Sequence, residues 1–111
     1  MDPNLCAALA AGESGKGKEE VRFGPVCRGK YYAPYNIHRS ALSKWNIANW
    51  QVNTEVGIML LAEKLKRSGG NLHSALRTYN TDDKGKKFDN YINNIRRLRK
   101  GYEKRGVFVT K

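Results

Sequence analysis

Residues 54–71 read TEVGIMLLAEKLKRSGGN, and this stretch decides the fold. Val56, Met59, Leu60, Leu61 and Leu65 recur at helical spacing, which predicts a helix from about Thr54 to Ser68 stopped by Gly69 and Gly70. Asn71 then caps a shorter helix whose inward stripe is Leu72, Ala75, Leu76 and Tyr79. A last helix over about Lys87–Lys104 places Phe88, Tyr91, Ile92, Ile95, Leu98 and Tyr102 on one face and its arginines on the other. Upstream, Asp2 is an N-cap, Pro3 takes the first helical position, and Leu5, Ala8 and Leu9 form one face of an opening helix. That helix ends near Gly12 or Gly15. A modest helix from about Ile37 to Trp45 follows, with Asn36 as its cap. From Gly15 to Tyr35 the chain holds four glycines and two of its three prolines without a helical period. This part reads as loop, with an extended piece around Val21, Arg22 and Phe23. The expected fold class is therefore all-α, with a long irregular loop after the first helix and room in it for a short β-hairpin.

The length of 111 residues suits one domain spanning 1–111. An apolar share of 40% suffices for a core and argues against a disordered chain. No apolar run approaches the roughly 20 residues that cross a bilayer, and the opening MDPNLC carries an acid where an export signal is basic. Neither a membrane span nor an intact export signal is expected. Charge is the strongest compositional signal, with 21 Lys or Arg against 10 Asp or Glu, a net +11. Residues 84–111, the expected basic helix and tail, hold 10 of these cations and 2 acids and so supply +8. A polyanion is the natural partner: nucleic acid, an anionic membrane face, or the acidic wall polymers of a bacterium. Arg96, Arg97 and Arg99, with Lys100, Lys104 and Arg105, form the face that would meet it, or simply a solvated one.

Cys6 and Cys27 are too few for a disulfide scaffold. With His38 and His73 they show no metal-ligand spacing, so no metal and no other cofactor is expected. They are read as two small buried apolar side chains, the alternative being a bridge closing about 20 residues and contributing roughly 3 kcal/mol.

The apolar stripe of the opening helix, extended four residues from Leu9, lands on Glu13. A carboxyl packed against leucines at the negative end of a helix has its charged form disfavoured and its pKa raised. A neutral carboxylic acid is what a general acid needs to protonate a leaving oxygen. The alternative is a surface glutamate on a fraying helix end. The long loop that follows is of a length usually either functional or disordered. Its other acids, Glu19 and Glu20, sit among Gly and Lys and read as exposed.

Four motifs appear in order: Glu13 and Ser14 closing the first helix; Asn53, Thr54, Glu55, Val56 and Gly57 opening the long one; Gly70 with Asn71; and Ala75, Leu76, Tyr79 and Asn80. Together, over residues from about 5 to 80, they resemble the soluble lytic transglycosylase domain, which has the goose-type lysozyme fold. The resemblance implies cleavage of the β-1,4 bond between N-acetylmuramic acid and N-acetylglucosamine in peptidoglycan. It implies Glu13 as the single acid and base, with the muramic acid 6-hydroxyl as nucleophile and a 1,6-anhydro product, so that no second carboxylate is required. It assigns Tyr79 the role of orienting the acid, places Ser14 among the substrate-binding residues, and implies work in the cell envelope, periplasmic or extracellular. Asn80 is read either as a helix cap or as a sugar contact, Tyr79 either as core or as site, and Asn53 as an N-cap or buried amide. The family's Gly-Leu-Met-Gln segment after the acid has as its nearest match Gly24, Pro25, Val26 and Cys27, without the Gln. Tyr31, Tyr32, Tyr35, Trp45 and Trp50 fall where a sugar cleft would lie. Tyr32 and Tyr35, beside Pro34, are taken as substrate-binding residues, and the two tryptophans as packing. His38 and His73 are read as ordinary helix residues.

Overall fold

A computed structural model describes residues 1–15 and 21–106. Among the described residues there are four α-helices: α1 (Pro3–Ser14), α2 (Trp50–Arg67), α3 (Leu72–Tyr79) and α4 (Lys86–Arg105). Between α1 and α2 lie β1 (Gly24–Val26), β2 (Tyr31–Ala33), β3 (Ile37–His38) and a 3-10 turn, Arg39–Ser43. The strands form one antiparallel sheet in the order β1-β2-β3. The fold is thus mixed, helices with a small sheet, which corrects the all-α expectation. Lys16, Lys18, Glu19 and Glu20, and the end of the basic tail from residue 107, lie outside the described residues.

The sheet forms because the backbone turns where three consecutive residues, Cys27, Arg28 and Gly29, take φ of 52°, 57° and 79°. That left-handed run folds β1 back on β2 in the register Val26 with Tyr31, Pro25 with Tyr32 and Gly24 with Ala33. The extended piece thus begins at Gly24, three residues later than the Val21–Phe23 expectation. The helix expected from Ile37 to Trp45 is replaced by β3 and the 3-10 turn. Asn36, at φ 50°, does not cap it, and the His38 ring accepts from the Ser40 amide to start the turn.

The helix caps follow ordinary chemistry. Asp2 accepts from the Asn4 amide, Asn49 from those of Gln51 and Val52, and Asn71 from that of Ser74. Asn49 starts α2 four residues before Thr54. Asn53 is instead a fully buried amide. It accepts from the Tyr35 amide at 2.9 Å and donates to the carbonyls of Tyr32 at 2.8 Å and Ile47 at 3.1 Å. It ties α2 to the sheet and to the segment that leads into the helix. One turn on, Gly57 lies against the Tyr35 ring, where any Cβ would overlap it.

Leu5, Ala8, Leu9 and Ala11 of α1 share one core with Ile92, Ile95, Leu98 and Tyr102 of α4 and with Val56, Leu61 and Leu76. The small residues of α1 let α4 approach closely: a Cβ on Gly12 would lie 2.6 Å from the Ile95 side chain. Asp2 and Arg99 pair at 2.8 Å across the other end of these two helices. Cys6 is buried and Cys27 exposed in the hairpin turn, and both thiols are free, so the bridge is not made. No helix among the described residues is long and apolar enough to cross a membrane.

Replacing Asn53 with Ala strands a buried N–H and two carbonyls. It is expected to destabilise the fold by about 2–4 kcal/mol in urea unfolding, at roughly 1–3 kcal/mol per unsatisfied group with partial relaxation. A loss under 0.5 kcal/mol would refute the role given to this side chain.

Candidate active site

The last turn of α1 delivers Glu13 to the floor of a cleft of about 550 Å³. α2 contributes Leu60 and Lys64 to its walls, α3 Tyr79, the α3–α4 loop Asp82 and Asp83, α4 Tyr91, and the sheet region Tyr31, Asn36 and His38. Asn36 donates through its side-chain amide to the Glu13 carbonyl at 2.6 Å, which anchors the end of α1 to the β2–β3 connection. The Tyr91 hydroxyl donates to Glu13 Oε1 at 2.8 Å.

Burial is the main influence on this carboxyl and pushes its pKa from the usual 4.5 up to about 8. The Tyr91 hydrogen bond works in the opposite sense, and the charges of Asp83 and Asp82 add to the rise. Glu13 is therefore neutral at pH 7, with one oxygen held by Tyr91 and the other left to carry the proton. The Tyr91 hydroxyl is itself raised, first by burial and then by the Glu13 charge. It stays protonated and remains a donor throughout the working range.

Tyr79 also stands close enough to Glu13 for the carboxyl charge to raise its hydroxyl, although burial is the larger cause. Its hydroxyl, however, donates to the Tyr35 carbonyl at 2.8 Å. The tyrosine that holds the acid is Tyr91, which sits on the same stripe as Phe88, Ile92 and Ile95 and so reads as core. Nothing in the sequence sets it apart, because Tyr102 on the same face carries a hydroxyl too.

Asn80 takes both readings in part. It occupies the C-cap position of α3 and lines the cleft. Its amide donates to Asp83 Oδ2 at 2.9 Å and accepts from the Asp83 N–H at 3.1 Å. Arg77 fastens the same loop by donating to the Asp83 carbonyl at 2.6 Å. Asp82 is held from across the cleft, where it accepts from the Tyr31 hydroxyl at 2.9 Å. These two aspartates are the acids that the sequence reading missed, because they fall in a short polar loop with no periodicity.

Three expected substrate contacts do not reach the cleft. The Ser14 hydroxyl donates back to Ala10 and accepts from the Arg22 amide, closing the end of α1. Tyr35 is buried and donates to the Cys6 carbonyl at 2.9 Å, because Gly57 leaves room for its ring in the core. Tyr32 packs against the core, since alternation along β2 gives the cleft side to Tyr31. Trp45 is half-buried under Lys44, while Trp50 is exposed rather than packed. His38 borders the cleft edge-on to Tyr31, and His73 stands edge-on to Phe88. Arg96 and Arg97 are exposed on α4, and Arg99 is engaged by Asp2 and by Glu103 at 3.3 Å. Among the described residues no group of His, Cys, Asp and Glu side chains could hold a metal ion.

No family model, no curated protein and no solved structure matches the chain. What the site can do rests on its own geometry: a neutral carboxylic acid, held from one side by a phenol, is presented to a cleft open to solvent.

The raised pKa makes stability pH-dependent. Between about pH 4.5 and 8 the unfolded chain has lost the Glu13 proton while the folded chain keeps it, so stability falls as pH rises through that window. The whole fall is on the order of a few kcal/mol, reduced by the partial opening to the cleft. Glu13→Gln is expected to flatten it, leaving the variant more stable than the parent at pH 8 and about equal at pH 4. Parallel curves of urea stability against pH for the two proteins would show instead that Glu13 titrates as a solvated group.

Proposed function

We propose that the chain is a glycan-cleaving enzyme, a peptidoglycan lytic transglycosylase in which Glu13 is the acid and then the base. The observation that carries the reading is the Glu13 carboxyl at the cleft floor, held up to about pKa 8 and hydrogen-bonded by Tyr91. The neutral carboxyl would protonate the bridging oxygen of the bond between N-acetylmuramic acid and N-acetylglucosamine. The carboxylate so formed would take the proton of the muramic acid 6-hydroxyl as that oxygen closes on the anomeric carbon, releasing the 1,6-anhydro end. Tyr91 stabilises the carboxylate stage by donating to it, while the Tyr79 hydroxyl is spent on the Tyr35 carbonyl. The order of the motifs from Glu13 to Asn80 supports the choice of substrate, and such a substrate implies work in the cell envelope.

A second reading has a specific observation in its favour. Asp82 and Asp83 face the same cleft, and a second carboxylate is what a hydrolase of this kind uses to activate water or to form a glycosyl intermediate. The two chemistries part at the product, which has an anhydro end in the first and a reducing end in the second.

Purified sacculi digested by the parent protein are expected to release anhydro-muropeptides, read by mass spectrometry. Glu13→Gln should lower the rate by roughly 10²–10⁴-fold, the usual range for a positioned proton donor. Release that survives this substitution removes Glu13 from the mechanism, and reducing ends in place of anhydro ends select the hydrolase. Activity should decline as pH rises through about 8, when the donor loses its proton. Tyr91→Phe removes a bond to the charged form and should move that decline to higher pH, whereas Tyr79→Phe should leave it in place.

A further inference from the structure

Phe23 and Trp50 are large aromatic side chains that the core does not use. They are 61% and 52% exposed, and their ring centroids lie 5.9 Å apart at an interplanar angle of 76°. Phe23 immediately precedes β1 and Trp50 opens α2, so two separate elements build the pair. The chain around them is unusual in charge. Between Glu20 and Glu55 it holds five basic residues and no acidic one. All five, Arg22, Arg28, Lys30, Arg39 and Lys44, are exposed.

We propose that this aromatic pair and the exposed basic residues of the same stretch form a second binding surface, outside the cleft, for a glycan strand that carries carboxylates. Exposed ring faces suit the C–H faces of sugars, and the cations suit side arms that bear negative charge. The choice between anionic polymers follows from the cleft. Its walls hold the acids Asp82 and Asp83 beside the neutral Glu13, with Lys64 as the lysine among them. A nucleic acid carries a phosphate on every unit and would bring that charge against these acids. A glycan with carboxylates only on side arms can pass neutral rings through the cleft and leave its charges on the basic surface. Trp50 and the cleft residue Leu60 are ten residues apart on α2, about 15 Å along its axis, so a polymer is needed to occupy both places. The identity of the polymer as peptidoglycan rests on the function proposed above; the surface itself does not.

The test is co-sedimentation with purified sacculi, using Glu13→Gln protein so that the polymer is not consumed. Adding Phe23→Ala and Trp50→Ala to this variant should weaken binding about ten-fold, consistent with loss of one or two stacking contacts. The melting temperature should not change, since both rings are exposed. Raising the salt concentration should weaken binding in both proteins. Equal affinity of the two proteins for sacculi would overturn the proposal. So would a loss of affinity for oligo(dT) larger than the loss for sacculi, which would make this a nucleic-acid surface. The two readings fail separately. A protein that sediments with sacculi through Phe23 and Trp50 but releases no product loses only the enzymatic reading. One that releases product and binds equally well without the two rings loses only this surface.

Discussion

The hydrogen bond from the Tyr91 hydroxyl to the Glu13 carboxyl is the contact on which the site depends, and much of the fold serves to make it. A carboxylate taken from water into a protein costs several kcal/mol unless it is paired or neutralised, and here it is neutralised. The Tyr91 donor limits that penalty without removing it. Bringing α4 close enough to supply the donor requires α1 to be narrow, and its run of alanines with Gly12 against Ile95 provides this. Asn36 fixes the other side by tying the end of α1 to the sheet. The acid is therefore held from two directions by elements far apart in the chain.

The helices were legible because their signals are local. Asp2, Pro3 and Asn71 mark helix starts by side-chain chemistry, and the stripes of α3 and α4 repeat long enough to be read. The sheet was not legible, because strands of two and three residues are too short to show an alternation. What makes them strands is a backbone turn at Cys27 and Arg28, residues with no preference for positive φ. Ile37, Ala41 and Trp45 recur every four residues and mimic a helix face, although Ile37 is buried in a strand. Asn53 reads from sequence as a cap or as a buried amide; only its tertiary contacts with Tyr32, Tyr35 and Ile47 decide for the amide, and Asn49 takes the cap.

The site was legible at one residue for a related reason. Glu13 violates the apolar stripe of its own helix, and such a violation is visible without knowing the fold. Tyr91 violates nothing, since a tyrosine on an apolar face is ordinary, and its importance appears only when α4 lies beside α1. Tyr35 went the other way: an aromatic in a loop looked available, but Gly57 opens a place for it inside. Asp82 and Asp83 acquire meaning from Tyr31, 51 positions before Asp82, which reaches across the cleft to bind it.

Charge is divided unevenly over the molecule. A chain with a net charge of +11 collects three carboxyl groups at its cleft, and they reinforce one another by raising the cost of ionising the one at the floor. Whether Glu13 is an uncharged acid at neutral pH is read from its own titration, followed by the carbon-13 shift of its side-chain carboxyl. The expected midpoint lies near pH 8. A midpoint between about 4 and 5, that of an ordinary solvated glutamate, would contradict it.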